Sequence, residues 1–318
     1  MNNSFTLIFD MKRFLLHVVS RVVIINFFIL CLILISLFKC SGITYDQYQK
    51  KTFKIKNLEV GVYGDSQIKG GVDTKIINDK NKVSITQFSS DGLPLFYTTR
   101  MVQNHLNQNS NLKCIIDLGT NNLDTSFDLE GGKFSKVGYT THLSNNYHFL
   151  SFKELFSFFK RYPFLTLQSI IKGSYQTNSY FNSGVNLSNK MISESDKNDF
   201  DKIRFKYDSI RKIKREIELN FEIKKLIELV KKNPSSQFLI LSPPEHPLYH
   251  KISNSSRRLS KLLFELEKFK NVRTINGSHI FESDSLYKDY SHLNNFGRVK
   301  FSNWLNNNSV FIEFLNHK

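Results

Sequence analysis

The chain has 318 residues, 40% of them hydrophobic, so it holds one large domain of ordinary core size with room for an insertion, and disorder throughout is excluded. Its formal charge of +16 is spread over the whole length without a recognised nucleic-acid motif, which disfavours nucleic acid and leaves room for a general affinity for anionic surfaces or glycans. Cys31, Cys40 and Cys114 are odd in number and lack CxxC spacing, and the histidines are scattered, so no disulfide framework, metal site or cofactor is expected.

Near the amino terminus, "VVIINFFILCLILISLF" (residues 22–38) carries no charge and follows Lys12, Arg13 and Arg21. At the rise of an α-helix it spans roughly 25 Å, just short of a bilayer core, and extension back to Phe14 closes the gap. Residues 1–40 therefore read as a short amino-terminal segment with a transmembrane signal anchor over 14–38. A cleaved signal peptide competes with this, but the apolar run exceeds an ordinary h-region and no small-x-small site follows. Lys39 before Cys40 fits a lipidation signal poorly. Lys39, Lys50, Lys51, Lys54 and Lys56 follow the segment, so charge counting alone places the next domain inside, whereas a long domain translocates regardless of local charge. Topology stays open on these grounds.

Residues 41–56 are polar and aperiodic and read as a tether. From residue 57 to 318 strands and helices alternate. "LEVGVYG", "KVSITQFSS", "NLKCIIDLG", "SQFLILSPP" and "NVRTING" are strand candidates. The helix candidates are "PLFYTTRMVQNHLNQN", residues 201–233 and residues 254–269. The charge-dense run at 210–232 alternates sign with apolar residues at helical spacing, as the solvated face of an amphipathic helix does. Alternation of this kind predicts an α/β fold, a three-layer doubly wound parallel sheet. Residues 125–200 break the rhythm and read as an insertion of the kind that serves as a lid. Their aromatic helix candidate, "SFKELFSFFKRYPFLTLQSIIKG", is assigned to packing on the core.

In such sheets functional groups gather at the carboxyl ends of strands. Ser66, in "VYGDSQ", stands at one such end, although Gly64-Asp65-Ser66 alone equally describes a helix cap. Two further stretches change the balance. "DLGTNNL" puts Gly119 and Asn121 after another strand, and "KDYSHLNNFG" puts Asp289 three residues before His292. A serine needs a base, an imidazole supplies one near neutral pH, and a carboxylate holds its tautomer. The Ser66 amide, a glycine amide such as that of Gly92, and the Asn121 carboxamide are candidate donors to a developing oxyanion. "SPPEHPLYH" follows a strand and brings Glu245, His246 and His250 towards the same end. Its prolines prevent helical ligand spacing, so it reads as a rigid structural loop. GxSxG and GxxxxGK[ST] are both absent, which disfavours a nucleophile elbow and a P-loop.

Gly64-Asp65-Ser66, Gly92, Gly119-x-Asn121 and Asp289-x-x-His292, in that order, resemble the four blocks of the SGNH (GDSL) hydrolase superfamily over roughly residues 57–307, the insertion apart. The sequence departs from the family pattern at Gln67, where leucine is common, and at Asn122, where aspartate is usual. The resemblance implies an SGNH-hydrolase or flavodoxin-like fold. It implies Ser66 as nucleophile, Asp289 and His292 as acid and base, and Ser66, Gly92 and Asn121 as the oxyanion hole. The activity implied is that of a serine esterase or O-acetyltransferase. Anchored relatives of this type act on acetyl groups of envelope glycans, so the resemblance further implies a periplasmic or extracellular domain, an acylated glycan or other ester substrate, and room for a membrane acyl-donor partner protein. The competing expectation is a catalytically silent module that keeps the fold and binds anionic polysaccharide.

Overall fold

A computed structural model describes residues 13–29, 58–89, 95–119, 189–193, 216–252 and 255–317, together with 156, 159, 160, 163 and 167. The chain divides into two compact units, Met1–Tyr48 with Leu143–Gln176, and Gln49–His142 with Thr177–Lys318.

In the first unit residues 13–29 form one helix, every residue of which is exposed. Phe14, Leu16, Val23, Phe27 and Phe28 are 60–73% exposed. Its polar side chains bond back to the helix itself, Ser20 Oγ to His17 O at 3.0 Å and Asn26 Nδ2 to Val22 O at 2.8 Å. Among the described residues no helix is long and apolar enough to cross a membrane. The expected transmembrane helix is thus not supported by the part described, which stops at Ile29 and carries Arg13 and Arg21; residues 30–38 of the expected anchor lie outside the described residues.

The second unit is built on a five-stranded parallel sheet in the order β2-β1-β3-β4-β5. Its strands are β1 (Val60–Gly64), β2 (Ile85–Ser89), β3 (Lys113–Asp117), β4 (Phe238–Ser242) and β5 (Val272–Asn276). Each falls inside one of the five runs that the sequence marks out. Every residue of β1 and β4 is buried, so both faces of the sheet are covered, which is why these strands are continuous apolar runs without alternation. The intervening helices are α1 (Ser66–Gly71), α2 (Thr74–Asn81), α3 (Leu95–Leu106), α4 (Glu216–Lys232), α5 (Pro247–Ile252) and α6 (Ser255–Glu267). Two more, α7 (Asn295–Leu305) and α8 (Ser309–Asn316), close the chain. The α/β expectation holds.

Outside the main sheet lies an antiparallel pair, β6 (Tyr287–Asp289) and β7 (His292–Leu293), in which Asp289 faces His292. Both groups are tied to one core: Val62, Ile68, Ile115, Leu239 and Leu241 pack in the same buried cluster as Tyr287, Leu293 and Phe301. The strand order turns about β1, so the crevice between the carboxyl ends of β1 and β3 is where such a sheet receives ligands.

Candidate active site

Asp65 leaves β1 in extended conformation and caps α1, its Oδ1 accepting from Gln67 N at 2.7 Å. Ser66 is the first helical residue. Gly64 makes the sharp exit possible, because its φ of +153° disfavours a side chain and a Cβ there would stand 2.2 Å from Asp117 Cβ.

The hairpin carries the other half. Asp289 and His292 oppose each other across the Tyr290–Ser291 turn, and the turn is held by Asp289 Oδ1, which accepts from Ser291 N at 3.0 Å and Ser291 Oγ at 3.2 Å. His292 Nδ1 lies 2.8 Å from Asp289 Oδ1, and His292 Nε2 lies 2.7 Å from Ser66 Oγ. With Nδ1–H donating to the carboxylate, Nε2 accepts the serine hydroxyl proton, so three residues drawn from two sheets form one continuous chain of hydrogen bonds. Ser291 Oγ, 3.0 Å from Nδ1, is a second polar neighbour on the same side of the ring.

The imidazole is 20% exposed and the Asp289 side chain 46%, so the relay is open to solvent at its acid end. Burial pushes the Asp289 carboxyl up, but the His292 hydrogen bond and charge, the Ser291 amide and Lys288 outweigh it and hold the group below the ordinary carboxylate value.

Beneath the serine lie polar groups without access to water. Asp117, at the end of β3, is fully buried, and its Oδ2 accepts from Asp65 N at 3.3 Å. Burial, then the Asp65 charge and a side-chain hydrogen bond with Asp65, then Glu245, raise its carboxyl well above the usual range, while the Asp65 amide opposes them. Gln67 is 2% exposed and donates from Nε2 to Glu245 Oε1 at 3.0 Å and to Ser291 O at 3.1 Å.

Of the candidate residues, Ser66, Asp289 and His292 are brought together, while Gly92 and Asn121 lie outside the described residues. Gly119, two residues past the end of β3, lies against Gln67, where a Cβ would stand 2.3 Å from Gln67 Oε1. Residues 242–246 are buried, and the rest of "SPPEHPLYH" runs into α5. Glu245 N donates to Ser278 O at 3.2 Å and His246 N to Tyr290 O at 3.0 Å. Both His246 ring nitrogens are engaged, Nδ1 accepting from Leu248 N at 3.2 Å and Nε2 facing Asp284 Oδ1 at 2.7 Å, so this second histidine–carboxylate pair has no nitrogen left for a substrate. Among the described residues no group of three or more His, Cys, Asp or Glu side chains could hold a metal ion.

Sequence reasoning missed Asp117, Ser291 and the use made of Gln67. A carboxyl closing the apolar run "KCIID" was a visible signal for the first. Ser291 lies inside "DYSH", between the acid and the base, whereas nothing local signals the use made of Gln67. No family model matches the chain, and no curated protein matches it.

Proposed function

We propose that the chain is a serine esterase or O-acyltransferase of the SGNH-hydrolase type, working through an acyl-enzyme on Ser66. The observation that carries this reading is the unbroken relay from Ser66 Oγ to His292 Nε2 at 2.7 Å and from His292 Nδ1 to Asp289 at 2.8 Å. Ser66 Oγ attacks the ester carbonyl while His292 Nε2 takes its proton, and the carbonyl electrons move to oxygen. When the tetrahedral intermediate collapses, the leaving alkoxide takes that proton from Nε2, and the acyl group stays on Ser66. A water or a sugar hydroxyl then gives its proton to Nε2 and attacks the acyl carbon, and as the acyl–Oγ bond breaks Nε2 returns a proton to Ser66 Oγ, so hydrolysis and transfer differ only in the acceptor.

The developing oxyanion needs donors, and the Ser66 amide, at the first helical position where an intrahelical partner is absent by geometry, is one candidate. Gly92 and Asn121 are the others that the resemblance supplies. Asp289 keeps the Nδ1 proton in place and balances the imidazolium that forms between steps.

The substrate in this reading is an acetylated envelope glycan. The net charge of +16 favours an anionic one. The domain works on the periplasmic or extracellular face, held by the amino-terminal segment, whose exposed apolar helix at 13–29 continues in sequence as uncharged residues to Phe38. A separate membrane protein supplying acyl groups fits the transferase variant.

The test is reaction of the full chain with a fluorophosphonate probe beside Ser66→Ala. Wild type is expected to acquire one phosphonyl group, located on Ser66 by peptide mass, and the variant none. Folded wild-type protein that labels no better than Ser66→Ala would sink the enzyme reading in favour of a silent glycan-binding module.

A further inference from the structure

We infer that Gln67 is a positioning residue, the cross-link that sets the separation of Ser66 from His292. The inference rests on the acyl-transfer reading above and adds to it the group that keeps nucleophile and base in register.

Ser66 follows a strand of the five-stranded sheet and His292 begins a strand of the separate hairpin, so no ladder of backbone hydrogen bonds runs between them. Gln67 stands next to Ser66, and its Nε2 donates to the carbonyl of Ser291, next to His292, at 3.1 Å across a separation of 224 positions. The same nitrogen donates to Glu245 Oε1 at 3.0 Å, so both amide protons are committed.

The acceptors are themselves fixed. Glu245 is anchored through its amide to Ser278 O and through its carbonyl to Tyr287 Oη at 3.1 Å, and Tyr287 opens the very hairpin that carries the histidine. The Ser291 amide is held by Asp289 Oδ1. Behind the carboxamide the end of β3 forms a wall, with Gly119 leaving space that any Cβ would take from Gln67 Oε1. Three loops thus meet on one side chain. Leucine at position 67 would fill a similar volume yet leave Ser291 O and Glu245 Oε1 without this donor, and the hairpin would be free to settle at another distance from Ser66. A misplacement of about 1 Å between reacting groups costs roughly 100-fold in rate.

The test compares the second-order rate of fluorophosphonate labelling and the urea stability of the full chain in wild type, Gln67→Leu, and Gln67→Leu combined with Glu245→Leu. Gln67→Leu is expected to label roughly 10- to 100-fold more slowly. The double variant replaces a buried polar pair by an apolar pair and is expected to regain stability while labelling stays slow, because Ser291 O still lacks its donor. Wild-type labelling by Gln67→Leu overturns the inference. So does recovery of rate together with stability in the double variant, which is what a merely structural role produces. Should Gln67→Leu not fold, Gln67→Asn carries the same comparison, since its carboxamide is one methylene short of its acceptors: slow labelling by the folded protein supports the inference, and labelling at the wild-type rate overturns it. Failure of wild type itself to label is a different result, which removes the enzyme reading before any variant is compared.

Discussion

Replacing Asp117 by asparagine should make the protein more stable with rising pH relative to wild type. Asp117 is fully buried beside Asp65, and burial, the Asp65 carboxylate and Glu245 together raise its carboxyl well above the ordinary value. In the unfolded chain the same group ionises near pH 4. Between that value and the raised folded value the native state keeps a proton that the unfolded state has lost. Stability linked to this group is therefore fully present below about pH 4 and falls as pH rises, at about 1.4 kcal/mol per pH unit, until the folded carboxyl ionises. Asparagine is the neutral isostere of the protonated acid and does not titrate, and its oxygen can still accept from Asp65 N, now at 3.3 Å from Asp117 Oδ2. Each pH unit within the window should then widen the gap in favour of Asp117→Asn by about 1.4 kcal/mol, or about 2.7 kcal/mol over two units. Urea unfolding of both proteins at pH 4.5, 5.5, 6.5 and 7.5 measures the gap directly, and titrations common to both cancel in the difference. Curves that run parallel across that range would refute a protonated Asp117.

Two further substitutions probe the site and its support. Asp289→Asn should slow fluorophosphonate labelling roughly 10²- to 10⁴-fold by freeing the imidazole tautomer, with the smaller loss if Ser291 Oγ, 3.0 Å from Nδ1, takes over as acceptor; an unchanged rate would contradict the relay. Because the folded Asp289 carboxyl lies below its ordinary value, its contribution to stability is present above about pH 4 and disappears as pH falls through the folded value, so wild type and Asp289→Asn should converge in stability at low pH. Gly64→Ala combines a φ of +153° with a Cβ only 2.2 Å from Asp117 Cβ and should cost about 3 kcal/mol or more, read as a lowered urea midpoint. A loss below about 1 kcal/mol would show that the chain leaves β1 differently.

The sheet was legible because its signals are local. Each strand run is closed by a turn residue, as in "FLILS" before Pro243 and "VRTIN" before Gly277, and in β1 and β4 burial on both faces removes the alternation that would have suggested an open sheet. Ser66, Asp289 and His292 were legible for another reason: acid, base and nucleophile are chemically distinctive, and the first two lie three residues apart. The hairpin itself was not, since "YKD" and "HL" are too short and too polar to read as strands. Asp117 escaped because its raised carboxyl depends on burial and then on Asp65, 52 positions away, and Gln67 because its partners lie 178 and 224 positions off. Side-chain pattern has a reach of a few residues and cannot register such pairs. The amino-terminal expectation rested on length and charge alone, and residues 30–38 of the uncharged run lie outside the described residues.

The division of the relay between a large sheet and a small hairpin has a physical consequence. A two-stranded pair has little stability of its own, so the position of His292 is borrowed from what the hairpin packs against. Tyr287 shows how the loan is secured. Its side chain is buried, and its hydroxyl donates towards Glu245 O at 3.1 Å and Phe281 O at 3.0 Å, fastening the first hairpin residue to the loop that follows β4 and to the segment before the 3₁₀ turn at Asp284–Leu286. Burial, reinforced by the Glu245 charge, pushes the Tyr287 phenol up from a value already well above neutral, so this donor keeps its proton around neutral pH. Asn294 closes the other end, donating from Nδ2 to Ser285 O at 2.7 Å while its Oδ1 caps α7 through Gly297 N at 3.0 Å. His292 is thus bracketed by two neutral clamps whose strength does not follow pH. Asp289 is different: its carboxylate sits at the acid end of the relay and also holds the Tyr290–Ser291 turn, so its protonation at low pH should change the charge of the site and loosen that turn together.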